Sequence, residues 1–284
     1  MCGCDRTRKR AKGVVTDMQY GAPLSGAVTV RDGDYGDLAG AGLVMITAGV
    51  NEKAGGATDR SDPNGRLRLL DANAAIYREI VPRVVEAAPQ AVLLVVTDPP
   101  DPLADLARRV AGHERVMSTG TYLDSLRFRV HLARTLEIDP AYVEAQVLGE
   151  HGTSEVFVWS GARAAGVPIL DAFAQKGLAP EQCRHDVERE VRYANITIIE
   201  GISASQYGIG MVSARLAEMV LRDERALIPV GVYSARYGVT LSLPWIVGRE
   251  GGVRTIAPAL SPHEGALLDE SGRTLQTALR RIAD

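Results

Sequence analysis

The sequence predicts an α/β fold for residues 1–120 and an α+β arrangement for residues 121–284. Two observations predict the first part: its apolar runs are short and rich in Val, Leu or Ile, and they alternate with stretches of helical periodicity. The runs are Ala27–Val30, Leu43–Thr47, Ala91–Thr97 and Arg115–Met117. Strands of this composition are typically buried on both faces, and their alternation with helices indicates βαβ units and a parallel sheet.

One helix of the first part is predicted by apolar residues at spacings of three and four, which lie on one helical face. These residues are Leu67, Leu70, Ala74, Tyr77 and Val81. Pro82 follows them directly.

After residue 121 the strict alternation ends, which predicts the α+β part. A helix is expected from Leu123 to about Glu137, with short strands near Ala145–Leu148 and Glu155–Trp159. A long helix is expected to bury one face, made of Val187, Val191, Ala194, Ile198 and Ile202. Further strands are expected near Leu227–Tyr233, Thr240–Val247 and Val253–Ile256. Ser261-Pro-His-Glu264 predicts the start of a final helix, with an N-cap serine and a proline in the first turn.

The composition excludes several classes of protein. Hydrophobic residues make up 46% of the chain and charged residues 24%, as in an ordinary globular protein, and the net charge of −3 does not indicate a nucleic-acid partner. The chain has no apolar run of the roughly 18–20 residues that a membrane span needs, and MCGCDRTRKR is not a secretory signal. A cytoplasmic location is therefore expected. Cys2, Cys4 and Cys183 do not form a disulfide framework, and no second cysteine pair follows Cys2 and Cys4, so no metal is expected.

Small polar turns follow three successive strands. They are Thr47-Ala-Gly-Val50, Thr97-Asp-Pro-Pro100 and Ser118-Thr-Gly-Thr121. Each could be an ordinary turn. In open α/β sheets, however, ligands bind at the carboxyl ends of the strands, so three such exits together indicate a site.

His151 is the histidine in the most suggestive position, because it follows an apolar strand and lies in Gly149-Glu-His-Gly152. Asp124 and Arg127, three residues apart at a helix start, share a face, which is equally consistent with a surface ion pair. Arg66 opens another helix after a glycine-rich loop, where a solvated arginine is also common. The residues alone leave structural and catalytic roles open for all four.

Five stretches together resemble the signature blocks of the L-lactate/malate dehydrogenase family. They are ITAGVNEK (46–53), RLRLLDAN (66–73), STGTYLDSLR (118–127), VLGEHGTSEV (147–156) and SASQYGIG (203–210). They occur in the family's order and, apart from one long loop, at its spacing. The resemblance covers nearly the whole chain and implies NAD-dependent hydride transfer on an L-2-hydroxy acid.

The resemblance assigns a role to each candidate catalytic residue. His151 takes the role of the base that removes the hydroxyl proton, or the acid in the reverse direction, and Asp124 fixes its tautomer. Arg127 is expected to bind the substrate carboxylate with its planar guanidinium group. Arg66 closes over the site and polarises the carbonyl oxygen. Ser205 lies where the family has Thr beside the substrate, although its spacing from Ile198 and Ile202 also fits a core serine.

Cofactor contacts are implied by the same resemblance at Asp5, Thr47, Ala48, Gly49, Asn73, Thr97 and Asp98. Asp5 takes the place of the acid that binds the adenosine ribose, which favours NAD over its 2′-phosphorylated relative. The glycine-rich phosphate loop of a Rossmann-type domain lies roughly 20 residues before that acid, and only four residues precede Asp5. The expected fold is therefore an incomplete Rossmann-type doubly wound parallel sheet, without its first strand and glycine-rich loop, followed by an α+β catalytic domain. Two alternatives explain the missing strand and loop: the true start codon lies upstream, or the gene is decayed.

Two departures from the family pattern concern the substrate. Asp98 replaces the usual Asn near the nicotinamide, where a carboxylate repels an anionic substrate unless it is protonated or turned away. Glu52 lies where lactate-specific members tend to have Gln and malate-specific members Arg. A dicarboxylate is thus less favoured, although Arg60 in the enlarged loop could substitute.

Two functions follow from the sequence. The first is an NAD-dependent oxidoreductase that interconverts a small L-2-hydroxy acid and its 2-oxo acid. The alternative is a truncated or decayed non-catalytic paralogue that serves as a binding or assembly subunit. Family members are commonly dimers or tetramers, so a homo-oligomer is expected.

Overall fold

The computed structural model describes residues 1–25, 28–50 and 69–282. The helices are α1 (Arg8–Gly21), α2 (Leu70–Ala87), α3 (Pro100–Ala111), α4 (Tyr122–Leu136), α5 (Ile169–Gln175), α6 (Pro180–Arg192), α7 (Ala194–Ile202), α8 (Tyr207–Leu221) and α9 (Pro262–Arg281). The strands are β1 (Cys2–Gly3), β2 (Arg31–Asp32), β3 (Leu43–Ile46), β4 (Val92–Val95), β5 (Val116–Ser118), β6 (Val143–Glu144), β7 (Val147–Leu148), β8 (Val156–Phe157), β9 (Arg163–Ala164), β10 (Val167–Pro168), β11 (Ala226–Ser234), β12 (Val239–Gly248) and β13 (Gly251–Thr255).

The main sheet has six strands in the order β13-β12-β11-β5-β4-β3. Strands β3, β4 and β5 are parallel, and α2 and α3 connect them, which confirms the predicted α/β character of the first part. Strands β1 and β2 form a separate parallel pair. The smaller sheets are β10-β9-β6 and β7-β8, both antiparallel.

The main sheet continues from the first half of the chain into the second, a connection that the sequence did not predict. Strand β11 pairs antiparallel with β5 through Gly231 and Ser118, and with β12 along its whole length. Glycine is required at position 231, because a Cβ atom there would lie 2.0 Å from Ser118 Oγ. The α+β part is therefore joined to the parallel strands within one sheet.

The predicted strand Ala27–Val30 is wrong: the strand in this region is Arg31–Asp32, and Ala27 lies outside the described residues. The backbone carbonyls just before it bond elsewhere. Val30 O accepts a hydrogen bond from Gln19 Nε2 (2.7 Å), and Thr29 O accepts one from the terminal amine of Met1 (2.6 Å).

The predicted long helix around residues 187–202 is also wrong, because it divides at Tyr193 into α6 and α7. The buried residues are Val187, Val191, Asn195 and Ile199, whereas Ile202 is 51% exposed. The prediction continued from Val191 to Ala194 and Ile198 because these residues are apolar. The face that is buried instead contains a polar residue, Asn195, which apolar periodicity cannot reveal.

The largest hydrophobic core is shared by both halves of the chain. It includes Ile46, Leu93 and Leu103 from the first half and Leu241 and Leu275 from the second. A second core surrounds Phe128 and Trp159, whose rings meet edge to face at 4.8 Å. The predicted start of α9 at Ser261 is confirmed, and it forms a capping box: Ser261 Oγ accepts from Glu264 N, and Ser261 N donates to the Glu264 carboxylate. None of the helices within the described ranges is long and apolar enough to span a membrane.

Replacing Gly120 with Ala is expected to destabilise the protein strongly. Gly120 has φ +50°, and a Cβ atom there would lie 2.1 Å from Ser242 Oγ and 2.5 Å from Gly231 N. Because one of these neighbours is backbone, the sheet itself must shift, and we expect the free energy of unfolding to fall by about 3 kcal/mol or more. Urea denaturation would measure this.

Gly112→Ala is the matched control for Gly120→Ala. Gly112 also has positive φ (+69°), but a Cβ atom there meets nothing within 4 Å. We expect it to cost about 1 kcal/mol, which is the conformational penalty alone. Equal losses in the two variants would contradict the steric explanation.

Candidate active site

Six predicted cofactor residues come together where β3 and β4 end. Thr97 Oγ1 donates a hydrogen bond to Ala48 O (2.9 Å), and Asn73 Nδ2 donates to Asp98 O (2.8 Å). Asn73 Oδ1 accepts from Val50 N (2.8 Å), so the start of α2 holds both strand exits. The other members of this group, Thr47 and Gly49, flank Ala48.

The chain from Thr47 to Val50 is exposed and offers its main chain to a ligand. A Cβ atom on Gly49 would lie 2.4 Å from Thr97 Cγ2, so only glycine allows the exit to pack so closely on β4. This segment is an exposed main chain at the carboxyl ends of parallel strands, and its central residue is a glycine. Such a segment is suited to bind one end of a dinucleotide.

Asp124 contacts both His151 and Arg127. His151 Nδ1 lies 2.5 Å from Asp124 Oδ2, and Arg127 Nη1 lies 2.9 Å from Asp124 Oδ1. An ionised carboxylate only accepts hydrogen bonds, so Asp124 holds the imidazole in the tautomer that carries its proton on Nδ1. The other ring nitrogen is then the one that exchanges protons with a ligand.

The three side chains differ in burial. The Asp124 side chain is only 3% exposed, whereas Arg127 is 12% and His151 is 16% exposed. Asp124 lies in the first turn of α4, where the helix dipole stabilises a negative charge. A buried carboxylate thus lies beneath an imidazole and a guanidinium group that both reach the surface.

The loop that carries His151 is anchored on both sides. Gly149 and Ser242 exchange two backbone hydrogen bonds of 2.9 Å, and Glu150 N donates to Ser271 Oγ of α9 (2.8 Å). Gly149 has φ +85°, and a Cβ atom there would lie 2.5 Å from Ser271 Oγ. The imidazole is therefore held by a fixed main chain as well as by its partner carboxylate.

Asp101 is a site residue that the sequence reasoning missed. Its Oδ2 accepts a hydrogen bond from the backbone N–H of His151 (2.8 Å), and its Oδ1 accepts one from Ser118 Oγ (2.6 Å). Asp101 is 1% exposed, and burial raises the pKa of its carboxyl group to about 6, although the two hydrogen bonds partly offset this effect. The available signal was an acid in the first helical turn after a strand exit, in Asp98-Pro-Pro-Asp101.

The raised pKa of Asp101 predicts a pH dependence of stability. Well below pH 4 this carboxyl group is protonated in both the folded and the unfolded state. As the pH rises from about 4 to about 6, the unfolded state loses the proton before the folded state does, so the folded state loses up to about 3 kcal/mol of relative stability. Asp101→Asn has no carboxyl group at this position. Its free energy of unfolding should therefore increase relative to that of the wild type between pH 4 and pH 7. Urea denaturation across this range would measure the difference, and a constant difference would contradict the assignment.

The other predicted site residues lie in other segments of the chain or fall outside the described ranges. Asp5 follows β1, and its Oδ1 accepts a hydrogen bond from Thr7 N (2.7 Å). Ser205 lies half-buried in the connection between α7 and α8. It therefore does not continue the helical face of Ile198 and Ile202, as its interpretation as a core serine required. Arg66, Glu52 and Arg60 lie outside the described residues.

Comparison with protein families gives two matches that together cover almost the whole chain. Residues 3–118 match the model of the lactate/malate dehydrogenase NAD binding domain. Residues 121–284 match the model of the lactate/malate dehydrogenase alpha/beta C-terminal domain. The resemblance seen in the sequence motifs is thereby confirmed.

Individual relatives agree with the family models. The L-lactate dehydrogenase of Deinococcus radiodurans is 42% identical over 96% of this chain and 87% of its own length. That of Chloroherpeton thalassium is 41% identical over 98% of this chain and 90% of its own length.

Solved structures show the same similarity. A lactate dehydrogenase from a Medee basin deep-sea metagenome library matches with a TM-score of 0.89 and 30% identity, over all of this chain and 90% of the other. The ligand-bound minor L-lactate dehydrogenase of Enterococcus mundtii matches with a TM-score of 0.88 and 31% identity, over 99% of this chain and 89% of the other. The chain therefore belongs to the lactate/malate dehydrogenase family of NAD-dependent oxidoreductases.

Proposed function

We propose that the protein reversibly reduces a small 2-oxo acid to the L-2-hydroxy acid, with pyruvate and L-lactate as the first candidate pair. The contact of Asp124 with both His151 and Arg127 carries the proposal, because it places a proton carrier beside a carboxylate-binding group. The substrate is suggested by relatives of 39–42% identity that are named L-lactate dehydrogenase. The same relatives do not favour a non-catalytic paralogue.

Protonated His151 donates its proton to the carbonyl oxygen as the oxo acid becomes a hydroxy acid, and it takes the proton back in the reverse reaction. The buried Asp124 carboxylate stabilises the imidazolium form and keeps the ring in one orientation. A base of this kind works best when its pKa lies near the working pH, which is natural for an imidazole.

Arg127 orients the substrate by binding its carboxylate. Its guanidinium group is 12% exposed and uses Nη1 for Asp124, so it is directed by the same carboxylate that directs the imidazole. A planar guanidinium group can form two parallel hydrogen bonds to a carboxylate. The bound acid is thus held in one orientation relative to His151.

When bound, the cofactor would supply the hydride as NADH in the reduction and accept it as NAD⁺ in the reverse reaction. Thr47, Ala48, Gly49, Asn73, Thr97 and Asp98 at the β3 and β4 exits would hold its nicotinamide end, and Asp5 its adenosine ribose. Asp98 would also lie near the substrate oxygens, where its charge disfavours a second anionic group. Arg66, Glu52 and Ser205 would complete the substrate pocket.

The experiment that tests this proposal is NADH oxidation at 340 nm with a panel of 2-oxo acids, from pyruvate to oxaloacetate. We expect pyruvate or another small monocarboxylic 2-oxo acid to give the highest kcat/KM. Oxidation of L-lactate but not D-lactate should follow in the reverse direction. A protein that binds NADH but reduces none of these acids would contradict the proposal.

A homo-oligomer in the cytoplasm completes the proposal. Tyr207 and Met211 of α8, four residues apart, are each 77% exposed, and Val14 and Met18 of α1 are 53% and 45% exposed. Apolar residues in helical register on a surface favour contact with another subunit. Light scattering after gel filtration would measure the mass, and a monomer at micromolar concentration would contradict this part.

A further inference from the structure

We propose that Asp101 is a positioning residue that fixes the main chain of His151, and through it the direction of the imidazole, for proton transfer. This inference rests on the proposed function and adds a second buried carboxylate to the site. The Oδ2 atom of Asp101 accepts a hydrogen bond from the backbone N–H of His151 at 2.8 Å.

The arrangement around Asp101 leaves its carboxylate little freedom. One oxygen accepts from the His151 N–H, and the other accepts from Ser118 Oγ at the end of β5. On the side of β11, a Cβ atom on Gly231 would lie 2.5 Å from Asp101 Oδ1, so the sheet closes directly over the carboxylate. Asp101 itself lies in the first turn of α3, where the helix dipole favours the charged form.

Asp101 also connects the two groups of site residues. It begins the helix that follows Asp98 and the β4 exit, while its hydrogen bond reaches the loop that carries His151. The His151 imidazole is therefore held at two points, with Asp124 on the ring and Asp101 on the backbone. Two fixed points determine the direction of a side chain, whereas one allows it to pivot.

The charge of Asp101 gives the proposal a second consequence. The charged groups that face it are His151, which attracts its negative charge, and Glu150, which repels it. An ionised Asp101 therefore favours the imidazolium form of His151. Loss of this charge should lower the pH at which the imidazolium gives up its proton.

The test compares Asp101→Ala and Asp101→Asn with a control on the same helix. Asp105 lies one turn further along α3, is equally buried at 1% exposure, and accepts from Thr240 N (2.9 Å) instead of His151 N. Asp105→Ala and Asp105→Asn thus remove a matched buried carboxylate that does not contact the site. All five proteins are assayed for kcat, KM and the pH profile of oxo acid reduction.

We expect Asp101→Ala to lower kcat by about 10- to 100-fold while KM changes less than about threefold, because the imidazole is misplaced but Arg127 is not. Asp101→Asn should recover most of this loss, since an amide oxygen can still accept from the His151 N–H. In both variants the falling limb of kcat/KM should move to lower pH by about half a unit to one unit. The Asp105 variants should lose stability, but their kcat and the pH of their falling limb should stay close to those of the wild type.

Hydrogen exchange of the His151 amide tests the proposal without turnover. The chain has five histidines, so labelling with ¹⁵N-histidine gives five amide signals, and His151→Asn identifies one of them. This signal should exchange at least tenfold faster in Asp101→Ala than in Asp105→Ala. If it does not, or if both alanine variants lower kcat equally, the positioning role is wrong. A wild type that reduces no oxo acid would instead overturn the proposed function, and the exchange experiment would still decide the role of Asp101.

Discussion

His151→Asn is expected to lower kcat for the reduction of the oxo acid by about 10²- to 10⁴-fold, since general acid–base catalysis contributes about this much. Asparagine can still donate a hydrogen bond toward Asp124, so the carboxylate keeps a partner, but it cannot carry a proton between pH 5 and 9. Stopped-flow measurement of a single turnover would show the effect on the chemical step.

The control for His151→Asn is His131→Asn. His131 lies half-buried on α4, away from the contact with Asp124. We expect this variant to keep kcat within about twofold. NADH binding, followed by fluorescence, should be unchanged in both variants. If His151→Asn retained more than a tenth of the wild-type kcat, His151 would not be the proton carrier.

Arg127→Leu is expected to lower kcat/KM by about 10³-fold. The variant loses the group that binds the substrate carboxylate, and it leaves the buried Asp124 without its 2.9 Å hydrogen bond from Nη1. Removal of one partner from such a pair costs about 2–5 kcal/mol, which corresponds to this loss. The kcat/KM of Arg127→Lys should lie between those of the wild type and Arg127→Leu, because lysine keeps the positive charge but not the planar guanidinium group. Steady-state kinetics with the best oxo acid would measure both variants.

Arg129→Leu separates this effect from damage to the helix. Arg129 lies two residues further along α4, and its Nε donates to Ala145 O (3.1 Å) instead of a site residue. We expect it to lower the melting temperature by a few degrees and to leave kcat/KM within about threefold. Similar losses of kcat/KM in the two leucine variants would show that α4 as a whole, and not Arg127, determines the activity.

The sequence predicted those parts of the site that depend on local chemistry. Strand exits rich in Thr, Gly and Asp indicated where β3, β4 and β5 end, and the spacing of Asp124 and Arg127 placed both side chains on one face of a helix. The contact between Asp124 and His151 spans 27 positions, and its prediction depended on the family resemblance. Spacing alone could not have shown it.

The parts that were missed depend on contacts between distant segments. Asp101 lies 50 positions from His151, and its partner there is a backbone N–H, which leaves no trace in the residue type at position 151. The pairing of β5 with β11 requires glycine at position 231, because Ser118 lies directly beside it. The sequence does not show that these two residues are neighbours. The helix divides at Tyr193, and the buried face of α7 contains Asn195, a polar residue that apolar periodicity does not select.

The core shared by the two halves of the chain limits how this protein can move. Hydrophobic residues from β3, β4, α3, β12 and α9 pack together, so a hinge opening between the halves would expose them to water. A rigid-body rotation of the two halves is therefore an unfavourable way to open the site. For the same reason, heat should unfold the whole chain in one cooperative transition, and a ligand bound at the β3 exit should delay the melting of α9 as much as that of α2.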